Sequence, residues 1–377
     1  MMLGVEKRLW RPAFLMGVLA VFLSLPALVA QAQKRLKDMP PPPPAWKAKP
    51  TPTPAPTPEE KLEVIRTTSN LVMVPVSITD RDGQAVQGLT KEDFRLQEEG
   101  KQQEITGIGN PEEVPLAIAL LFDISSSVSQ KGFFQFQQNA AAAFLKQVMK
   151  PNDRAAVFTI ATQPTMVQPL SSAEQAAAKI VTIPPATSSV ATAFYDTVIA
   201  AATYLESAPG QYRRVIIVIT DGDDNNSKRI VSVSNAEARA SNNDQLTGSR
   251  ARAGLDAKHR LAVADVQQAA QKADAIFYSV NPGGPSVRLN QIAMRAETGM
   301  EAIAEATGGT AFIPDGEKDL ERVFRQVAAE LRGQYLLQYY GNTEGPGQFR
   351  RIQVSVPARA DVRVRARQGY YPKKQQD

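Results

Sequence analysis

Leu116-Ala-Ile-Ala-Leu-Leu-Phe-Asp-Ile-Ser-Ser-Ser127 runs from an unbroken apolar stretch straight into a group of oxygen-bearing side chains. Apolar residues without period-two alternation mark a strand covered on both faces, the condition of a parallel sheet. Asp123, Ser125 and Ser127 then follow at i, i+2 and i+4. One carboxylate and two hydroxyls are hard donors that suit Mg²⁺ or Mn²⁺, which take oxygen in near-octahedral geometry and keep exchangeable waters. The stretch predicts a buried strand ending in a metal-binding loop.

The same pattern recurs on the C-terminal side. Short apolar runs at 155–161, 215–220, 275–280 and 310–313 read as further strands of one parallel sheet. Between them lie helical stripes: Phe133, Phe136, Ala140, Phe144 and Val148 form one, and Leu320, Val323, Phe324, Val327 and Leu331 form another. This alternation predicts an α/β fold, a doubly wound and mostly parallel sheet with helices on both faces, over residues 113–332. Such sheets bind ligands in the loops beyond the carboxyl ends of their strands. Asp123 and Asp221 both fall at such ends, and Thr192 opens a helix whose hydroxyl is expected in the same crevice.

The flanks are different. Residues 71–79 are β-rich, Asp80-Arg-Asp-Gly83 supplies turn chemistry, and Phe94-Arg-Leu-Gln97 reads as a second short strand. Strand-like segments return at 335–340, 349–356 and 362–366. Neither set can bury a core alone, so segments 63–112 and 333–377 together predict one small β-sandwich interrupted by the α/β domain.

Lys7, Arg8 and Arg11 precede an apolar stretch at 12–30, and Ala30-Gln-Ala32 offers small residues to a signal peptidase, so 1–32 reads as a signal peptide. Left uncleaved, the stretch approaches the ~20 residues that span a bilayer. The expected location is exported: periplasmic, cell-surface or secreted. Residues 33–62 are a proline-rich spacer with extended polyproline character. The 377 residues contain no cysteine and one histidine, which removes disulfides, thiolate zinc sites and cysteine nucleophiles, and makes histidine relays poor candidates. The formal charge of +5 falls further once the signal segment is set aside, too little to imply nucleic acid.

The set Asp123, Ser125, Ser127, Thr192 and Asp221, within this alternation of elements, resembles the von Willebrand factor type A family. That family's metal-ion-dependent adhesion site combines an Asp-x-Ser-x-Ser loop, a threonine and a later aspartate. Gly88-Leu-Thr-Lys-Glu-Asp-Phe94 and Val364-Arg-Ala-Arg-Gln-Gly-Tyr-Tyr371 extend the resemblance to an exported bacterial group, the von Willebrand factor A-related proteins known from acidobacteria. The resemblance implies a Rossmann-like domain holding a divalent cation, Mg²⁺ with Mn²⁺ or Ca²⁺ as alternatives, at the top of its sheet. It also implies a protein partner whose Glu or Asp completes the coordination, and no enzymatic activity. Val190-Ala191 stands before Thr192 where the family usually has small glycines, and Thr187 lies nearby as a second candidate.

Other features carry plainer readings. Asp223 and Asp224 are expected to be solvated turn residues, and His259 a surface group. The polar stretch at about 223–260 reads as an insertion, either without structure or forming a partner-selecting rim. Arg363, Arg365 and Arg367 alternate along a solvated strand face, and Tyr335, Tyr339, Tyr340, Tyr370 and Tyr371 serve strand packing. A Mg²⁺-dependent phosphoester hydrolase is the competing class, disfavoured because Ser125 stands where the haloacid dehalogenase-like motif carries a second aspartate. A structural envelope protein with metal-independent binding is the third.

Overall fold

The computed structural model describes residues 71–125, 134–186, 190–232, 247–284, 291–315, 319–342 and 347–372. The expected signal peptide and spacer, Phe133, Ser127 and Thr187 lie outside them. The first strands are β1 (Leu71–Thr79), β2 (Arg95–Glu98), β3 (Lys101–Gln103), β4 (Gly107–Gly109) and β5 (Leu116–Asp123). Helix α1 (Phe134–Val148), β6 (Arg154–Ile160), β7 (Thr165–Ser171), α2 (Ala173–Ile180), α3 (Phe194–Glu206) and β8 (Arg213–Ile219) follow. Next come α4 (Lys228–Val231), α5 (Thr247–Lys272), β9 (Ala275–Val280), α6 (Gln291–Thr307), β10 (Ala311–Phe312) and α7 (Leu320–Gly333). The chain finishes with β11 (Tyr335–Tyr340), β12 (Arg350–Ser355), β13 (Arg363–Ala366) and β14 (Gly369–Tyr370).

The central sheet has the order β10-β9-β8-β5-β6-β7, with β7 antiparallel to β6 and every other pair parallel. Every residue of β5 is buried, and successive side chains serve opposite faces. Leu116, Ile118, Leu120 and Phe122 pack with α1, α2 and α7. Ala117, Ala119 and Leu121 pack with α3, α5 and α6. This is the expected α/β fold with helices on both faces. Strand β7 adds an edge that the apolar runs do not announce, because its Thr-Met-Val-Gln-Pro-Leu-Ser sequence is partly exposed and carries Pro169. Proline lacks a ladder donor and is tolerated at an edge.

Of the polar stretch expected as an insertion, residues 233–246 lie outside the described residues, and much of the rest is helical. From Thr247 onward it is the first half of α5, a helix of 26 residues. His259, Ala262, Val266 and Ala270 form its buried stripe. That stripe is too weakly apolar to stand out among the surrounding Arg, Lys and Asp side chains.

The flanking strands form two antiparallel sheets of order β13-β1-β11-β4 and β14-β12-β2-β3, each mixing the two ends of the chain. Val74, Val76, Phe94, Leu96, Leu337, Tyr339 and Ile352 share one core between them. Sandwich and α/β part belong to one compact unit, Arg66–Asp377. Buried polar groups join them: Arg213 donates to Leu331 O, Gln334 Oε1 and Pro111 O, each at 3.0 Å. The Arg365 guanidinium lies 2.7 Å from the Glu330 carboxylate. Among the described residues no helix is long and apolar enough to cross a membrane.

Candidate metal centre

Parallel register decides what surrounds Asp123. Phe122 on β5 is paired with Ile219 on β8, so the next residue after β8, Thr220, arrives beside Asp123. Thr220 Oγ1 donates to Asp123 Oδ2 at 2.5 Å, and Ser125 N donates to Oδ1 at 2.7 Å. On the other side Ile124 N donates to Ile160 O at 3.1 Å, while Ala193 N donates to Ala161 O at 2.8 Å. The strand ends of β5, β6 and β8 thereby draw the 123–125, 192–195 and 220–227 segments into one rim.

Thr192 enters this rim through its backbone. Its N–H donates to Asn225 Oδ1 at 2.8 Å, and its carbonyl accepts Asn225 N and Asn226 N at 3.1 and 3.0 Å. Asp224 makes the second clasp. It accepts Tyr195 N at 2.8 Å through Oδ2, Ser227 N at 2.9 Å and Asn226 N at 3.1 Å through Oδ1, and the Ser227 hydroxyl at 2.5 Å. Asp224 is 3% exposed, so the reading of it as a solvated turn residue is corrected. Its burial follows from contact with a helix start 29 positions earlier, which local composition does not reveal.

The electrostatics are unusual for a carboxylate. Asp123 is 1% exposed, and burial, reinforced by the like charge of Asp221, pushes its pKa up to about 6. Hydrogen bonds from Thr220 and Ser125 pull the other way without cancelling these effects. No cationic side chain is among the groups acting on Asp123. Burial also raises Asp223, aided by Asp221 and Asp224. The Asp123 and Asp221 carboxylates therefore repel one another, with the Thr220 and Ser125 hydroxyls on Asp123 and no cationic side chain acting on it. Among the described residues no three His, Cys, Asp or Glu side chains converge on a metal position, so a cation here draws on hydroxyls beside the carboxylate pair. An all-oxygen donor set fits a hard divalent ion.

Of the five residues expected at the site, Asp123, Ser125, Thr192 and Asp221 are brought to this rim, and Ser127 lies outside the described residues. Thr220 was missed. Its place is readable once β5 and β8 are aligned as parallel neighbours. Gly222 has φ +77, and a Cβ there would lie 2.7 Å from Met300 Cε, so the turn after Asp221 needs glycine.

His259 is 6% exposed with Nδ1 3.0 Å from Tyr195 Oη, not a surface group. The arginine face of β13 is solvated only at Arg363: Arg365 pairs with Glu330, and Arg367 pairs with Asp274 at 2.5 Å. The tyrosines divide, with Tyr335, Tyr339 and Tyr370 buried in the sandwich core and Tyr340 56% exposed.

A family model described as von Willebrand factor type A domain matches residues 118–223. No curated protein matches the chain. Among solved structures, a von Willebrand factor type A protein from Catenulispora acidiphila is 12% identical, covering 82% of this chain and 76% of that one at a TM-score of 0.42. Proximal thread matrix protein 1 from the mussel byssus, with a zinc-occupied MIDAS motif, is 16% identical over 62% of this chain and 49% of that one, TM-score 0.42. An aerotolerance-related membrane protein from Bacteroides fragilis is 15% identical over 56% of this chain and 98% of that one, TM-score 0.37. The chain thus spans about half the length of the byssus protein that it matches.

Proposed function

We infer, for a chain whose residues 118–223 belong to the von Willebrand factor type A domain family, that it is an exported binding protein and not an enzyme. In this reading Asp123, Ser125, Ser127, Thr192 and Asp221 hold a divalent cation, Mg²⁺ first and Mn²⁺ or Ca²⁺ as alternatives, and a protein partner contributes an acidic residue. When bound, the ion supplies a Lewis-acidic position that an incoming carboxylate can fill. The chain's own residues prepare that position. Thr220 and the Ser125 amide fix the two oxygens of Asp123, Gly222 turns the chain behind Asp221, and Asp224 with Asn225 ties the Thr192 segment to the same rim.

The observation that carries this reading is the buried Asp123 carboxylate beside Asp221, raised to about 6 with no cationic side chain acting on it. Hydroxyl ligands neutralise less of a cation than a carboxylate cage would, which leaves it receptive to an outside anion. The chain's single histidine is turned toward Tyr195.

The test is capture of envelope proteins on the immobilised protein in Mg²⁺ and in EDTA, with a Glu-rich peptide as competitor. Capture that needs Mg²⁺, that the peptide displaces, and that Asp221→Ala abolishes is the expected result. Capture indifferent to EDTA and to Asp221→Ala would replace this reading with metal-independent binding.

A further inference from the structure

Helices α5 and α6 part over a cavity of about 510 Å³ that the metal site does not use. Tyr195, His259, Arg260, Met294 and Arg295 are among its walls. His259 is 94% withdrawn from solvent on its exposure of 6%. Its Nδ1 is engaged with Tyr195 Oη at 3.0 Å, and its Nε2 has no protein partner among the described residues. Burial and nearby Asp224 keep the Tyr195 hydroxyl protonated, and burial beside Arg295 pushes the pKa of His259 down to about 4. Either partner can donate in this bond according to the ring tautomer; with the phenol donating to Nδ1, the neutral ring carries its proton on Nε2.

Arg295 lies 2.7 Å from Asp256, and Arg260 adds a second guanidinium, so two cations and one anion line the space. From the rim side Asp223 acts on Arg295, and Asp223 and Asp224 act on Tyr195, so it is the two guanidinium donors, and not a net charge, that suit an anionic ligand. Met294, 44% exposed, and Val263 give an apolar side against which a short methylene stem can rest. A carboxylate on a short aliphatic chain matches both features.

The cavity also shares its walls with the rim. Tyr195 is three positions beyond Thr192, and its amide is the one clasped by Asp224. On α6, Met300 and Ala296 abut Gly222 while Gly299 abuts Val263 and the Tyr195 hydroxyl. We propose that the α5–α6 cavity is a second carboxylate subsite, recognising a Glu-like side chain or small aliphatic carboxylate through His259 Nε2, Arg260 and Arg295. Beside the cation, and resting on the metal reading above for this part alone, it would hold an acidic partner at two points.

The single histidine makes the test direct, since ring ¹⁵N signals come from His259 alone. The protein is titrated in EDTA with glutarate, with glutaramide, and with a peptide of alternating Glu and Gly. Glutarate and the peptide should shift the His259 Nε2 signal saturably and glutaramide should not, with Arg295→Gln or Arg260→Gln weakening the response roughly tenfold. Added Mg²⁺ should tighten the peptide and leave glutarate unchanged, and Asp123→Asn should remove that tightening while preserving the EDTA titration. A flat His259 signal in EDTA overturns the subsite, whether the carboxylate is free or on a peptide. A saturable signal with no Mg²⁺ effect on the peptide keeps the subsite and overturns the two-point holding.

Discussion

Asp123 carries the strongest residue-scale consequence. Its pKa in the folded protein is about 6 against an ordinary 3.8, so ionising it costs the fold about 3 kcal/mol before a cation arrives. The sign is fixed by a raised acid: metal-free stability from this group is greatest below pH 3.8 and is lost as pH rises toward about 6. Asp123→Asn should therefore stabilise the metal-free protein at neutral pH, by about 1–2 kcal/mol once the weakened Thr220 contact is counted, and urea denaturation in EDTA measures it. Stabilisation of the wild type by Mg²⁺ should be large at pH 7.5 and small at pH 5, where a proton competes for the same oxygen, as thermal unfolding would show. Asp224→Ala should cost about 2–4 kcal/mol, because the Tyr195 amide and Ser227 lose their buried acceptor. Asp123 and Asp221 were legible because each follows an apolar run. Asp224 was not, since what buries it comes from a distant helix start.

At the scale of elements, most of the α/β layering is written in apolar runs and helical stripes. The exceptions are instructive. Strand β7 hides behind its proline and its exposed edge, and α5 hides because alanine, valine and one histidine form its buried stripe. A weak stripe suffices there because α3 and α6 cover it. The β8-to-α4 connection is where element geometry meets the site, and Gly222→Ala tests it. The positive φ disfavours a Cβ, and Met300 Cε occupies the space one would need. A loss of about 1–3 kcal/mol is expected, together with weaker metal binding, and Met300→Ala should recover only the steric part. Full recovery in the double variant, followed by thermal unfolding, would show that the backbone conformation costs nothing.

At the scale of the whole molecule, the sandwich belongs to both ends of the chain at once. Strand β1 lies between β13 and β11, and β12 lies between β14 and β2, so neither end completes a sheet. The β-rich flanks made that pairing legible in advance, whereas its register and the buried joint with the α/β part depend on Arg213, Arg365 and Gln334 meeting partners far along the chain. Arg365→Ala leaves the Glu330 carboxylate buried without its cation. Such a loss typically costs about 3–5 kcal/mol, and a drop in the thermal midpoint with unchanged metal affinity should report it. The joint ties the sandwich to the α/β part, while the rim itself rests on the meeting of β5 and β8. Calorimetric titration of Mn²⁺ into the metal-free protein at pH 7.5, beside Asp123→Asn and Asp221→Asn, measures that meeting. One saturable site in the wild type, lost in both variants, is the predicted result; equal binding by all three proteins, or none by the wild type, would contradict it.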